Sequence, residues 1–468
     1  MQNEQSENNH KVLTRLDVLF LAFGAMIGWG WVVLSGNWVI EAGTLGAMIA
    51  FVLGGVLVIF VGLAYAELAS AMPNKGGALI YVLRGIGYKM AFVAAWALAL
   101  GYISVVSFEA VALPTVIEYI FPNYKVGFMY SINGYDVYAS WVLVGMLGSV
   151  FITVVNLMGV KFAAFLQMVL TIIIGIIGLM LIFGAAANGS MINADPLLVG
   201  GVAGILTVAI MTPFMFVGFD VIPQTAEEMK IPPRAIGRIL IVSVVAAVIW
   251  YVAIIFAVGF GLDQSTLVNS VLPTADAMSN VFGHEAFGIV LILGGVAGII
   301  TSWNSFIIGG SRILCAMAER KMIPGWFGRQ HARYGTPVNA ILFIGALSTL
   351  APLLGRPMLV WLVDAGGLAI VLAYFLVAVA FVRLRRSEPD MVRPFRAGKS
   401  SAIGWAAVVF SLLFVALYLP GMPAALLWPY EWLIFAGWSG LGILLMVNMS
   451  KERKAAGPHI FATTTSAG

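Results

Sequence analysis

Apolar residues in this chain run on in blocks of about twenty or more, and polar residues collect in short stretches between them. Neither a helical nor a strand period of alternation is visible within the blocks, the mark of elements with no wet face. A helix crosses the hydrocarbon core of a bilayer with roughly 20 largely apolar residues. The blocks predict spans at 16–42, 45–71, 89–119, 139–158, 161–187, 198–228, 234–260, 285–318, 338–354, 359–383, 402–420 and 430–449. The expected fold class is all-α integral membrane, with about twelve transmembrane helices in one domain over 16–449 and tails at 1–15 and 450–468.

Composition agrees. The chain has 468 residues, 61% hydrophobic and only 10% charged, with mean hydropathy +1.00. Soluble domains carry about 25% charged residues, so most of this chain is not made for water. With the N-terminus inside, the alternation of spans puts 23 of the 25 Lys and Arg on the inside, leaving Lys125 and Arg356 outside. Cationic side chains resist translocation, so the asymmetry predicts both termini in the cytoplasm and a multi-pass protein of the cytoplasmic membrane. Contact with membrane lipids follows from the spans, and no basic run interleaved with aromatics suggests nucleic acid. Residues 1–15 have no pattern of a cleaved signal, so the first span is expected to stay as an anchor. The one cysteine, Cys315, falls inside a span, which rules out a disulfide framework and a cysteine metal site.

Two spans are interrupted at membrane depth. The first reads Gly24-Ala25-Met26-Ile27-Gly28-Trp29-Gly30, with three glycines that each weaken a helix by about 1 kcal/mol. The sixth reads Thr212-Pro213-Phe214-Met215-Phe216-Val217-Gly218-Phe219-Asp220. Backbone in lipid must satisfy itself, so interruptions need a reason. Glycines such as Gly54 and Gly55, or Gly294 and Gly295, fit close helix packing. The first and sixth spans differ in that each opens a set of five. Paired broken helices point to a midplane site in an inverted-repeat transporter, with N–H groups free for an anion and carbonyls for a cation.

With these residues in place the chain resembles amino acid permeases of the amino acid–polyamine–organocation superfamily. The similarity runs through Gly24-Ala25-Met26-Ile27-Gly28-x-Gly30, then Tyr65, Glu67, Pro73, Gly76, Gly77 and Tyr81, and Asn156-x-x-Gly159-Val160-Lys161. It continues with Phe216-Val217-Gly218-Phe219-Asp220, Ala226-Glu227-Glu228 and Pro232-x-Arg234, and with Gly310-Ser311-Arg312-x-Leu314, Ala316-Met317-Ala318 and Pro324. The resemblance implies two inverted five-helix repeats (16–187 and 198–383), plus two extra helices at 402–449. It implies that a substrate carboxylate caps the unwound first span at the N–H groups near Trp29 and Gly30. The substrate ammonium would meet carbonyls of Met26, Phe214 and Val217, and Phe214 would cover the substrate as a gate. The implied substrate-binding set is Ala25, Met26, Ile27, Gly28, Trp29 and Gly30 in one break, and Phe214, Phe216, Val217, Gly218 and Phe219 in the other.

The chain departs from the family's pattern twice. Trp29 stands where a small hydroxyl residue is usual, either filling the pocket or packing elsewhere. Ile174 stands where many relatives carry a coupling lysine, so coupling through that lysine is unavailable. The coupling ion, H+ or Na+, stays open. Ser302 and Ser305 sit where sodium-coupled relatives supply oxygens, although membrane hydroxyls often bond their own backbone. Ionisable residues at bilayer depth default to functional candidates. Asp220 follows the second break, as a titrating group or as a cap for the resumed helix. Glu109, without a basic neighbour in sequence, is a candidate proton carrier. Asp364 is shallower and a candidate outer gate. Glu67, Glu227 and Glu228, near the inner face, suit pairing with Lys and Arg of adjacent loops.

An enzyme would need clustered catalytic groups, yet His10, His284, His331 and His459 all lie in tails or near span ends, and no metal set emerges. A channel would want a ring of charges or a carbonyl filter. A transporter-like sensor is a further alternative. No nucleotide-binding G-x-x-x-x-G-K-[ST] motif occurs, so the energy source is expected to be an ion gradient or exchange. The expected function is secondary active transport of a small amino acid by alternating access, with an amine or amino alcohol as the alternative substrate. No cofactor is expected, and a monomer or a homodimer is compatible.

Overall fold

The computed structural model describes residues 12–422 and 424–456, so that 1–11 and 457–468 of the expected tails lie outside the described residues. Nearly all of the rest is helix. The first helix, α1 (Arg15–Met26), opens on a capping box: Asp17 N–H donates to Thr14 Oγ1, and Thr14 N–H to Asp17 Oδ2 at 2.9 Å. After three unwound residues comes α2 (Gly30–Ala71), two helical pieces joined at Gly43. Gly43 has φ +75°, and a Cβ there would lie 2.6 Å from the Leu197 backbone, so only glycine turns the chain here. The turn falls where the first and second expected spans part.

Next come α3 (Ala78–Gly85), α4 (Tyr88–Ile120), the hairpin β1 (Phe128–Ile132) and β2 (Tyr135–Tyr138), α5 (Ala139–Leu157) and α6 (Val160–Asn188). The sixth expected span is in three pieces: α7 (Gly201–Ala209), α8 (Thr212–Phe216) and α9 (Val221–Gln224). Then follow α10 (Pro233–Gly261), the short α11 (Gln264–Asn269) and α12 (Pro273–Phe282), α13 (Glu285–Glu319), α14 (Val338–Leu350), α15 (Met358–Ser387), α16 (Ala402–Leu417) and α17 (Tyr430–Ala456). Among the described residues, nine helical stretches are long and apolar enough to cross a membrane, and the first of these, Arg15–Ala71, takes in two expected spans. Val338–Leu354 and Ala402–Leu417 are shorter apolar helices at two more expected places. This is a multi-pass, all-helical membrane protein.

Burial runs opposite to that of a soluble protein. On α6 the exposed residues include Phe165, Ile172, Ile176, Leu179 and Phe183, and on α5 Leu143, Leu147, Val150 and Val154. Such spacing makes an apolar stripe suited to lipid tails. In the interior, α4 and α15 lie almost wholly enclosed, α10 runs along α2, and α13 lies between α4 and α6. The acids near the basic loops find partners. Glu67, fully buried, takes Arg385 at 2.5 Å, Arg393 at 3.1 Å and the Ala397 N–H at 2.7 Å, tying α2 to α15 and to the segment after it. Glu228 pairs with Arg312 of α13 at 2.9 Å, and Glu227 accepts the Lys75 N–H at 3.1 Å.

Candidate substrate site

The first break covers Ile27, Gly28 and Trp29, and the second runs from Val217 to Asp220. They meet. Gly218 has φ +136°, and a Cβ on it would come 2.8 Å from Ala25 Cβ and 3.0 Å from Met26 N, so the two unwound strands approach as only glycine permits. Asp220 organises the second break. Its Oδ1 accepts the Gly218 N–H at 2.9 Å and its Oδ2 accepts the Tyr102 hydroxyl at 2.8 Å. In an unbroken helix the Gly218 N–H would serve the Phe214 carbonyl; here that donor is diverted. Asp220 stands at the N-cap position of α9 but makes no side-chain cap bond, because its carboxylate turns back to the break.

Between the breaks lies a small cavity of about 20 Å³, room for roughly one water. The first break contributes Ala25, Met26, Gly28 and Gly30 to its wall, and α8 contributes Phe214 and Met215. Val105, Phe108 and Glu109 come from α4, Ser302 and Phe306 from α13, and Tyr251 from α10. Phe214 is buried against Phe108, with ring centroids 5.8 Å apart, and against Gly366 of α15. The Tyr251 hydroxyl donates to the Met26 carbonyl at 2.7 Å. Glu109 Oε1 accepts the Ser302 hydroxyl, and the carboxylate also faces the Trp29 backbone N–H.

The other named residues stand behind this wall. The Ile27 carbonyl accepts Trp31 Nε1 at 3.1 Å. The Trp29 indole is fully buried against Gly295 of α13, leaving its backbone to face the break. Val217 is buried at the end of α8, Phe216 packs between Phe51 and Tyr251, and Phe219 between Tyr65 and Tyr374. The Ser305 hydroxyl donates to the Leu21 carbonyl at 3.3 Å, so it holds α13 against α1. Ile174 crosses beside Gly298 and Gly28, at the back of the first break. Asp364 lies away from the cavity and meets Glu431 at the start of α17, both of them buried. The Tyr418 hydroxyl nearby donates to the Ile210 carbonyl at 2.6 Å, above the second break.

Tyr251, Phe108, Met215 and Glu431 were not picked out from the sequence. Tyr251 and Glu431 carried a signal, a polar group within an apolar span. Phe108 and Met215 carried none, since apolar residues there look like ordinary packing. Toward the face where the basic loops gather, a vestibule of about 1330 Å³ opens between Lys75, Glu227, Glu228, Arg312, Cys315 and Arg333. The described residues hold no group of three or more His, Cys, Asp or Glu able to bind a metal.

An apolar helical bundle whose two broken helices meet at a small cavity between them has the design of a small-molecule membrane carrier. The amino acid permease family matches residues 13–441, and the chain belongs to that family. It is 28% identical to the branched-chain amino acid permease of Bacillus subtilis (strain 168) over 417 residues, 86% of this chain and 87% of that protein. It is 23% identical to the methylthioribose transporter of the same organism over 453 residues, 96% and 95% of the two chains. With that organism's aspartate-proton symporter it shares 26% identity over 426 residues, 87% and 79%. These relatives favour amino acid transport over the amine alternative.

Proposed function

We propose that this protein is a secondary transporter that moves a small neutral amino acid across the cytoplasmic membrane by alternating access. The meeting of the two breaks around one small cavity carries the reading. Unwound backbone there offers N–H groups at Trp29 and Gly30 for a carboxylate, and the diverted Phe214 carbonyl for an ammonium. Besides Glu109, Ser302 and Tyr251, the side chains of the wall are apolar, with Val105, Phe108, Phe214, Met215 and Phe306 suited to a neutral substrate side chain. The relative named as a branched-chain amino acid permease supports a neutral substrate, and the aspartate-proton symporter supports an amino acid more generally.

In this reading the bundle has about twelve spans with both termini cytoplasmic, and its first ten spans form two inverted repeats. The helices α1, α2, α7 to α9 and α10 rock against α4, α5, α13 and α14. The wide vestibule at the basic face and the small central cavity, lined by Phe214 and Tyr251, fit a state near the cytoplasmic side. Asp220 holds the second break in shape, and Glu109 is the coupling group that faces the cavity. Asp364 and Glu431 belong to the outer end, where they join α15 to α17.

Uptake into proteoliposomes containing the purified chain tests this. Saturable uptake of labelled L-alanine or L-valine, competed by other neutral amino acids and not by ethanolamine or putrescine, is the expected result. Uptake of amines alone, or of neither class, overturns it.

A further inference from the structure

One of the two donors that the proposed function assigns to a substrate carboxylate, the Trp29 N–H, already faces a carboxyl group, that of Glu109. We propose that Glu109 is a resident occupant of this anion site, and that an amino acid displaces it only by binding together with one proton. The inference rests on the reading of the cavity as an amino acid site.

Four observations carry it. Glu109 is 2% exposed and lines the same cavity as both breaks. Its Oε1 accepts the Ser302 hydroxyl and lies 3.3 Å from where a Gly28 Cβ would stand, which puts the carboxylate directly against the unwound backbone. The carboxylate faces the Trp29 N–H, one of the two donors set aside for the substrate. Its second oxygen, Oε2, is buried with no hydrogen-bond partner in the protein.

No cation balances this group among the described residues. Glu109 makes none of the salt bridges, and the fifth span offers Ile174 rather than a base. Of the elements packed around it, α10 turns the neutral Tyr251 hydroxyl to this side, α13 the Ser302 hydroxyl, α8 Phe214 and Met215, and α1 only backbone. Among the described residues, the one hydrogen bond that this carboxyl group accepts from a side chain is the Ser302 hydroxyl's, and the Trp29 N–H faces it. A zwitterion entering the cavity brings its own carboxylate to the same N–H, and two carboxylates do not share an apolar site while both are ionised. A proton taken from water onto a Glu109 oxygen removes the conflict. The neutral acid gives up the Trp29 N–H to the substrate. It keeps a hydroxyl with which to hydrogen-bond the incoming carboxylate. After the substrate leaves on the other side, that proton returns to water and Glu109 takes the N–H back. Each zwitterion therefore travels with one proton and one net positive charge.

The experiment uses the full chain in detergent and L-valine and L-alanine as probes. In the wild type the apparent Kd rises about tenfold per pH unit once Glu109 is ionised in the free protein, as competition with a single proton requires. A pH-indicator dye in weak buffer records one proton taken up per amino acid bound in that range. In Glu109→Gln, which has the same size and no charge, Kd is flat with pH and no proton is taken up. Wild-type binding without proton uptake, or a Glu109→Gln variant that keeps the wild-type pH slope, overturns the proposal. The wild-type dye measurement does not depend on the variant folding. If neither amino acid binds the wild type at any pH, the amino acid reading itself falls, an outcome distinct from binding without protons.

Discussion

Glycine sets the site at the scale of single residues. A Cβ on Gly28 would come 2.6 Å from Ser302 Cβ and 2.7 Å from its hydroxyl, inside any real contact. Gly28→Val is therefore expected to weaken amino acid binding more than tenfold, measured as loss of the ligand-induced rise in thermal stability, because a ligand stabilises only the state it binds. Asp220→Asn keeps the shape but not both acceptors, so either the Gly218 N–H or the Tyr102 hydroxyl loses its partner. The expected outcome is transport reduced more than tenfold in a chain that still folds, and unchanged uptake across pH removes Asp220 from the mechanism. The sequence was informative about backbone here and less so about side chains. Three glycines before Trp31 and a Pro-to-Asp stretch in the sixth span announced both breaks. Nothing local could tell that the Trp29 indole turns to Gly295 of α13, far along the chain, or that Glu109 turns to the first break. Such directions depend on which helices become neighbours.

Among elements, the long apolar helices were legible because membrane helices declare themselves by length and composition alone. The pieces between them were not. The helices α3, α11 and α12 and the β-hairpin are too short or too polar to stand out from loops, and α8 and α9 exist only because the second break divides its span. The inner-face acids were readable as pairing groups, although the partners were not. Glu67 pairs with Arg385 and Arg393, more than three hundred positions away. Removing one side of a buried ion pair leaves the other charge uncompensated, at a cost of about 3–5 kcal/mol. Glu67→Gln is accordingly expected to destabilise the packing of α2 on α15 by roughly 3 kcal/mol. A lower midpoint of thermal unfolding in detergent checks this, and an unchanged midpoint would show that the pair contributes nothing.

For the whole molecule, the contrast is between a narrow centre and a wide mouth: about 20 Å³ at the breaks and about 1330 Å³ at the basic face. Arg312 of α13 and Glu228 at the end of the sixth span bridge the two groups of helices at the rim of that mouth. The only cysteine of the chain, Cys315, is in the same wall one turn further along α13, 2% exposed and with a free thiol. The native chain thus carries its own chemical reporter, in the wall of the vestibule. A maleimide applied to the unaltered protein is expected to react faster with Arg312→Gln, in which the rim is untied, and more slowly when the helices close that face. Conformational cycling can then be timed without engineering a single thiol into the protein.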